Sequence, residues 1–239
     1  MKTVGILIVG DEVLSGEVRD ENGPYLIARL TAAGSRVVRM AVVADRADDI
    51  ARDLVGLRAH ADAVVVSGGI GPTHDDVTRP AVAVALGVAL EEHPDALAQI
   101  RRWYGDQATD AELAMSLLPR GSRVLRGVRT AALGFAVAGV YVLPGVPFLL
   151  KDLVEGMATD FAGSPLAKEE VHTERREGEI ADALTAIQAA ALDVAIGSYP
   201  SVGPDGRWRT RIVLRGSDPE RVADVASRVR SSLSLPTVP

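Results

Sequence analysis

Two rhythms of apolar spacing run through the first two thirds of the chain. Residues 4–9 are a short continuous apolar run, the pattern of a strand buried on both faces of a parallel sheet, residues 63–66 read as another buried strand, and residues 37–43 as a strand between them. A stretch with helical spacing follows each run. Leu26, Ile27 and Leu30 line one face of a helix that begins near Asn22, carries Pro24 in its first turn and stops at Gly34. Ile50, Leu54 and Leu57 recur at i, i+4 and i+7, and a third helix covers residues 79–86. Pro94 opens another, with Trp103 and Tyr104 at its end as packing residues. Thr109-Asp110-Ala111-Glu112 reads as a capping box for one more, reaching Leu118. Residues 135–137 and 140–143 flank Ala138-Gly139 as a hairpin, and Leu150, Leu153, Val154, Met157 and Phe161 then share a helix face.

The pattern restarts after Gly163-Ser164-Pro165. A strand at 171–174 precedes a helix over 177–192 with Ile180, Leu184 and Ile187 inward, and a strand at 194–199 leads into a turn at Pro204-Asp205-Gly206. Residues 207–214 alternate, with Trp208, Thr210, Ile212 and Leu214 on one face and Arg207, Arg209 and Arg211 on the other; Asp218-Pro219-Glu220 starts a last helix using Val222, Val225 and Val229. The sequence thus predicts an α/β domain over 1–163 and a small βαββα domain over 164–239. The arginine row fits either a ligand-facing patch or a solvated sheet face.

Acidic residues follow all three strands: Asp11 and Glu12, then Asp45, then Asp75 and Asp76. In an open parallel sheet those strand ends share one edge, where ligands bind. The third exit is the most informative: Ser67-Gly68-Gly69-Ile70-Gly71-Pro72-Thr73-His74-Asp75-Asp76-Val77-Thr78. Glycines between a strand and a helix start let the backbone approach an anion closely and offer it free N–H groups. Two carboxylates in the same turn would repel a phosphate unless a divalent cation stood between them. An Asp before a helix is also an ordinary N-cap, and Gly-Pro an ordinary turn signal. The segment matches neither the P-loop nor the dinucleotide fingerprint.

Composition narrows the field. The 239 residues have a net charge of -6, which argues against a nucleic-acid footprint, and lack cysteine, which removes thiolate metal sites. His60, His93 and His172 have no partner pattern, while His74 sits where it could donate to a phosphate. The first ten residues hold too short an apolar run for a signal segment. Nothing approaches the ~20 apolar residues that span a bilayer, so a cytoplasmic protein without membrane partners is expected.

Taken in order, Gly10-Asp11-Glu12-Val13-Leu14-Ser15-Gly16, Asp20-Glu21-Asn22, Val43-Ala44-Asp45, the glycine stretch and Leu143-Pro144-Gly145-Val146-Pro147 resemble the molybdopterin-binding-like domain family. Within it they are most similar to the N-terminal domain of competence/damage-inducible protein A (CinA) and the matching domain of eukaryotic FAD synthases. The likeness covers about residues 1–160. Ile196-Gly197-Ser198-Tyr199-Pro200 and Asp218-Pro219-Glu220-Arg221 also resemble the small domain that follows in these relatives. The deamidase domain of full-length CinA has no counterpart here, so that activity is not implied.

The resemblance implies a three-layer α/β/α sandwich with a smaller α+β domain behind it, in a homo-oligomer. It implies a small phosphorylated nucleotide or a pterin as ligand, with Mg2+ or Co2+ as cofactor. Three activities stay open: metal-dependent hydrolysis of a nucleotide pyrophosphate such as ADP-ribose or FAD, adenylyl transfer to molybdopterin, and nucleotide binding without catalysis. Carried onto this sequence, Asp76, Asp45 and Glu12 become the catalytic candidates, and Asp11, Asp75 and Asp76 the metal candidates. Gly68, Gly69, Gly71, Thr73, Thr78, Ser15 and Gly145 become the ligand-binding set. Two departures stand out. Ala132-Leu133-Gly134-Phe135 replaces the usual Ala-Pro-Gly-Phe, and Leu149 stands where relatives usually carry a Glu.

Overall fold

The computed structural model describes residues 1–130 and 132–234 and divides into two compact units, Met1–Gly163 and Ser164–Pro239. The first unit is built on strands β1 (Thr3–Val9), β2 (Arg36–Val43), β3 (Ala63–Ser67), β6 (Arg123–Arg126), β7 (Leu133–Val137) and β8 (Val140–Leu143), in the sheet order β2-β1-β3-β8-β7-β6. Strands β2, β1, β3 and β8 are mutually parallel, while β7 is antiparallel to both of its neighbours. Alternation explains the uninterrupted apolar runs. Leu7, Val9, Val64 and Val66 point into one core with Ile50, Leu54 and Leu57, whereas Ile6, Ile8 and Val65 point into the other with Leu26, Leu150 and Leu153. Burying each such leucine contributes about 1.5–3 kcal/mol.

The first core is covered by α3 (Ala47–Arg58), α4 (Thr78–Leu86) and α5 (Pro94–Tyr104), the second by α2 (Asn22–Ala32) and α7 (Pro147–Gly156). This is the three-layer sandwich. A single turn, α1 (Asp11–Leu14), lies within the first acidic loop. The β7–β8 turn puts both Ala138 (φ 47°) and Gly139 (φ 81°) at positive φ, the conformation a two-residue hairpin demands.

One expected helix is shorter than its pattern. The capping box is present in α6 (Asp110–Ala114): the Thr109 hydroxyl accepts the Glu112 N–H and the Glu112 carboxylate accepts the Thr109 N–H. The helix nevertheless ends at Ala114 rather than Leu118. Pro119 disfavours the helical conformation for Leu118. Residues Leu117–Pro119 form β5 instead, pairing antiparallel with β4 (Leu90–Glu92) and burying Leu118.

The second unit runs β9 (Ala167–Thr173), α8 (Glu177–Ala189), β10 (Val194–Val202), β11 (Trp208–Gly216) and α9 (Pro219–Ser234), with an antiparallel sheet ordered β10-β11-β9. Ile180, Ile187, Val194, Ile212, Leu214, Val222, Val225 and Val229 form its core. The arginine row faces solvent with local partners. Arg209 pairs with Asp205 at 3.0 Å, and Arg211 pairs with Glu170 at 3.2 Å and lies over the Tyr199 ring. Among the described residues, no helix is long and apolar enough to cross a membrane.

Candidate functional site

Because β1, β2, β3 and β8 are parallel, the loops leaving them converge on one sheet edge, where a cavity of about 770 Å3 opens. Its floor is the glycine loop. Gly68 has φ 112° and packs on the Val9 carbonyl, Gly69 has φ 67° over the Thr78 hydroxyl, and a Cβ at either position would overlap those atoms. The Thr78 N–H donates to the Gly69 carbonyl at 2.9 Å. In a planar trans peptide the Ile70 N–H must then point the opposite way. Among the described residues, the N–H groups of Gly69 and Ile70 have no acceptor, and both residues line the cavity. These are donors available to an anion.

The loop after β8 closes in from the side. Asn22, almost fully buried at the start of α2, donates to the Gly145 carbonyl at 2.6 Å and to the Ser67 hydroxyl at 3.1 Å. The Asp20 carboxylate holds that helix start by accepting the N–H groups of Asn22 and Gly23. Asn22 was not among the residues expected at the site, although its triplet carries part of the resemblance.

The acids fall into two kinds. Asp45, Glu12, Asp75 and Asp76 all line the cavity. Asp76, expected as a catalytic acid and metal ligand, has both oxygens engaged within its own loop. One accepts the Gly71 N–H at 2.6 Å, the other the N–H and hydroxyl of Thr73 at 2.8 and 2.6 Å. Its observed work is to fold the loop. Asp45 accepts a single N–H, that of Asp11, at 2.8 Å. Burial pushes its carboxyl above the usual range against that hydrogen bond, and the charges of Glu12, Asp11 and Asp75 push it further the same way. Asp45 therefore sits in a crowded field of like charge.

Other expected residues lie around the cavity rather than on its wall. Asp11 contributes its backbone N–H to Asp45, and the exposed Ser15 hydroxyl donates to the Glu12 carbonyl. Thr73 serves Asp76, and Thr78 is buried beneath Gly69 with its hydroxyl unpartnered among the described residues. Gly71 and Gly145 are on the wall as expected. The exposed His74 has its ring 3.9 Å from the Asp75 carboxylate.

Part of the cavity wall is aromatic. Trp103, Tyr104 and Phe148 line it, exposed by 65, 37 and 64 %. Trp103 and Tyr104 are thus wall residues, not the packing residues their sequence context suggested. A signal was present: Ala96 and Ile100 are the buried residues of α5, so its final aromatics extend past the core. Arg129, Thr130 and Leu149 also line the cavity. The loop carrying Arg129 is held by Asp152, buried in α7, which accepts N–H bonds from Val128, Arg129 and Thr130 at 3.1, 2.9 and 2.8 Å and the Thr130 hydroxyl at 2.6 Å.

Among the described residues, no group of three or more His, Asp and Glu side chains is arranged to hold a metal ion. The donors present suit Mg2+ in another way, since that ion keeps several waters and binds one or two carboxylates together with ligand phosphates. Asp45 and Glu12 are the cavity carboxylates that could serve such an ion.

The family profile described as "probable molybdopterin binding domain" matches residues 5–163, and that of "FAD synthase, middle domain" matches residues 165–238. A CinA-like protein of Citrifermentans bemidjiense is 41 % identical over 159 residues, 64 % of this chain but 38 % of that protein, so the match spans well under half of the relative. A protein of Archaeoglobus fulgidus is 30 % identical over 231 residues, covering 96 % of this chain and 97 % of its own. Among solved structures, CinA from Thermoplasma acidophilum, titled as of unknown function, superposes with a TM-score of 0.63 at 35 % identity, covering 67 % of this chain and 98 % of its own. The chain belongs to the molybdopterin-binding domain family, its first unit CinA-like and its second of the FAD synthase middle-domain type.

Proposed function

We propose that the first unit binds a nucleotide carrying a pyrophosphate and hydrolyses the phosphoanhydride with the help of a divalent cation. The observation that carries this reading is one cavity lined by both kinds of group: the free amides of Gly69 and Ile70 with Asp45 and Glu12, and the exposed rings of Trp103, Tyr104 and Phe148. Amides at a glycine loop hold phosphate oxygens, and exposed aromatic faces hold a planar ring. A bound divalent cation would supply charge neutralisation on the phosphoryl group, with Asp45 and Glu12 as its side-chain ligands or its water-orienting partners.

Asp45 is the candidate base. Its carboxylate accepts only the Asp11 N–H, which leaves it able to take a proton from water. Water adds to one phosphorus while its proton passes to Asp45, and the bridging oxygen leaves with the other phosphoryl group. The products are two monophosphates. Gly69 and Ile70 fix the phosphate, so catalysis here is positioning and electrostatics. Adenylyl transfer to molybdopterin would draw on the same cavity with a different acceptor.

ADP-ribose and FAD are assayed for hydrolysis with Mg2+ or Co2+, in the wild type and in Asp45→Asn. Turnover in the wild type, lost by about 10²-fold or more in the variant with ligand binding retained, is expected for general-base catalysis. Nucleotide binding without turnover under either metal refutes the hydrolase reading; adenylylated product appearing only with molybdopterin and ATP replaces it by transfer.

A further inference from the structure

The glycine loop has a buried cation beneath it that the chemistry above does not use. Arg79, in the first turn of α4, is 9 % exposed, and its guanidinium donates to the Ile70 carbonyl and, at 3.0 Å, to the Gly71 carbonyl. These partners are neutral. A neutral apolar side chain would fill the space without desolvating a charge. Burial lowers the Arg79 pKa while the charge of Asp76 opposes the shift, so the two charges feel each other across the loop.

The peptide between Ile70 and Gly71 is gripped from both sides. Arg79 holds its carbonyl, and Asp76 accepts its N–H at 2.6 Å. Directly before it, the Ile70 N–H has no acceptor among the described residues, and Ile70 lines the cavity. Asp76 alone would leave an uncompensated negative charge under an anion-binding loop; Arg79 cancels it from within.

We propose that Arg79 is a positioning residue of the phosphate loop, whose buried positive charge offsets Asp76 and sets the affinity of the loop for diphosphates. This rests on the reading of the loop as a phosphate site. Arg79 acts through the loop, without touching the ligand. Its charge should therefore matter more than its shape.

Binding of inorganic pyrophosphate with Mg2+ is measured by calorimetry in the wild type, Arg79→Gln and Arg79→Lys, with thermal melts of each. Arg79→Gln is expected to weaken binding about tenfold or more, a charge-scale effect of about 1.4 kcal/mol or above. Arg79→Lys keeps the charge and can still reach one of the two carbonyls, so on the charge account it is expected to stay within about threefold of the wild type. Equal losses in the two variants, or an undiminished Arg79→Gln, overturn the proposal. If Arg79→Gln does not fold, Arg79→Lys decides: near-wild-type binding supports it, and a tenfold loss overturns it. A wild type that binds no pyrophosphate refutes the phosphate-site reading itself, a separate result.

Discussion

Replacing Asp152 by alanine tests the most heavily bonded carboxylate among the described residues. Four donors converge on it: three consecutive backbone N–H groups and the Thr130 hydroxyl. A hydrogen bond to a charged group is worth about 1.5–3 kcal/mol net, so four would sum to roughly 6–12 kcal/mol if they were independent. They are not, because one loop makes all of them and water can reach part of it once the carboxylate is gone. A loss of about 3–5 kcal/mol is expected, the range for breaking a buried charge cluster from one side. For a unit of this size that lowers Tm by roughly 6–20 °C. Asp152→Asn keeps one acceptor oxygen and should cost less. The effect should also depend on pH. Burial raises the Asp152 pKa, but the Thr130 hydroxyl and the three amides outweigh it and hold the carboxyl below its usual value. The stabilisation is then complete above about pH 4, the unfolded value, and is lost as pH falls through the lower folded value. Urea midpoints of wild type and Asp152→Ala, followed from pH 7 to pH 3, should draw closer toward the acid end. A melt within 2 °C of wild type at pH 7, or a gap that stays constant down to pH 3, would refute this account of the wall.

Three further outcomes are expected. Gly69→Ala should abolish pyrophosphate binding by calorimetry, because a Cβ at φ 67° meets the Thr78 hydroxyl and must displace the loop. Asp45→Asn should raise Tm at pH 7: its folded pKa lies above the unfolded one, so keeping it charged costs stability as pH rises through that window. Trp103→Ala should weaken nucleotide binding about 5- to 10-fold, the worth of one stacking contact, while pyrophosphate affinity stays unchanged in the same titrations.

The sandwich was legible because β1 and β3 are buried on both faces and the helices that cover them repeat at 3.6 residues. Both strands end in loops whose glycines and acids announced a shared edge. Side-chain roles were less legible. Nothing in Asp75-Asp76 says that the second carboxylate turns back on Gly71 and Thr73 while the first stays in the cavity, since hydrogen bonds within a loop depend on its three-dimensional turn. Strand β6 escaped because Arg123–Arg126 is too short to show a period, and Leu117–Pro119 because its apolar pair extended a helical pattern that Pro119 cuts short. Asp152 gave no sign of itself. Its donors lie more than 20 residues upstream, on a loop whose own sequence names no partner.

The hydrogen bond from Asn22 to Gly145 joins positions 123 residues apart. During synthesis the ribosome adds roughly 5–20 residues per second, so Asn22 emerges many seconds before Gly145 exists to receive it. The nascent chain can assemble β1 and β2 early and still lack one side of its binding pocket. Completion of the cavity should arrive abruptly, with the loop that follows the hairpin, rather than grow with chain length.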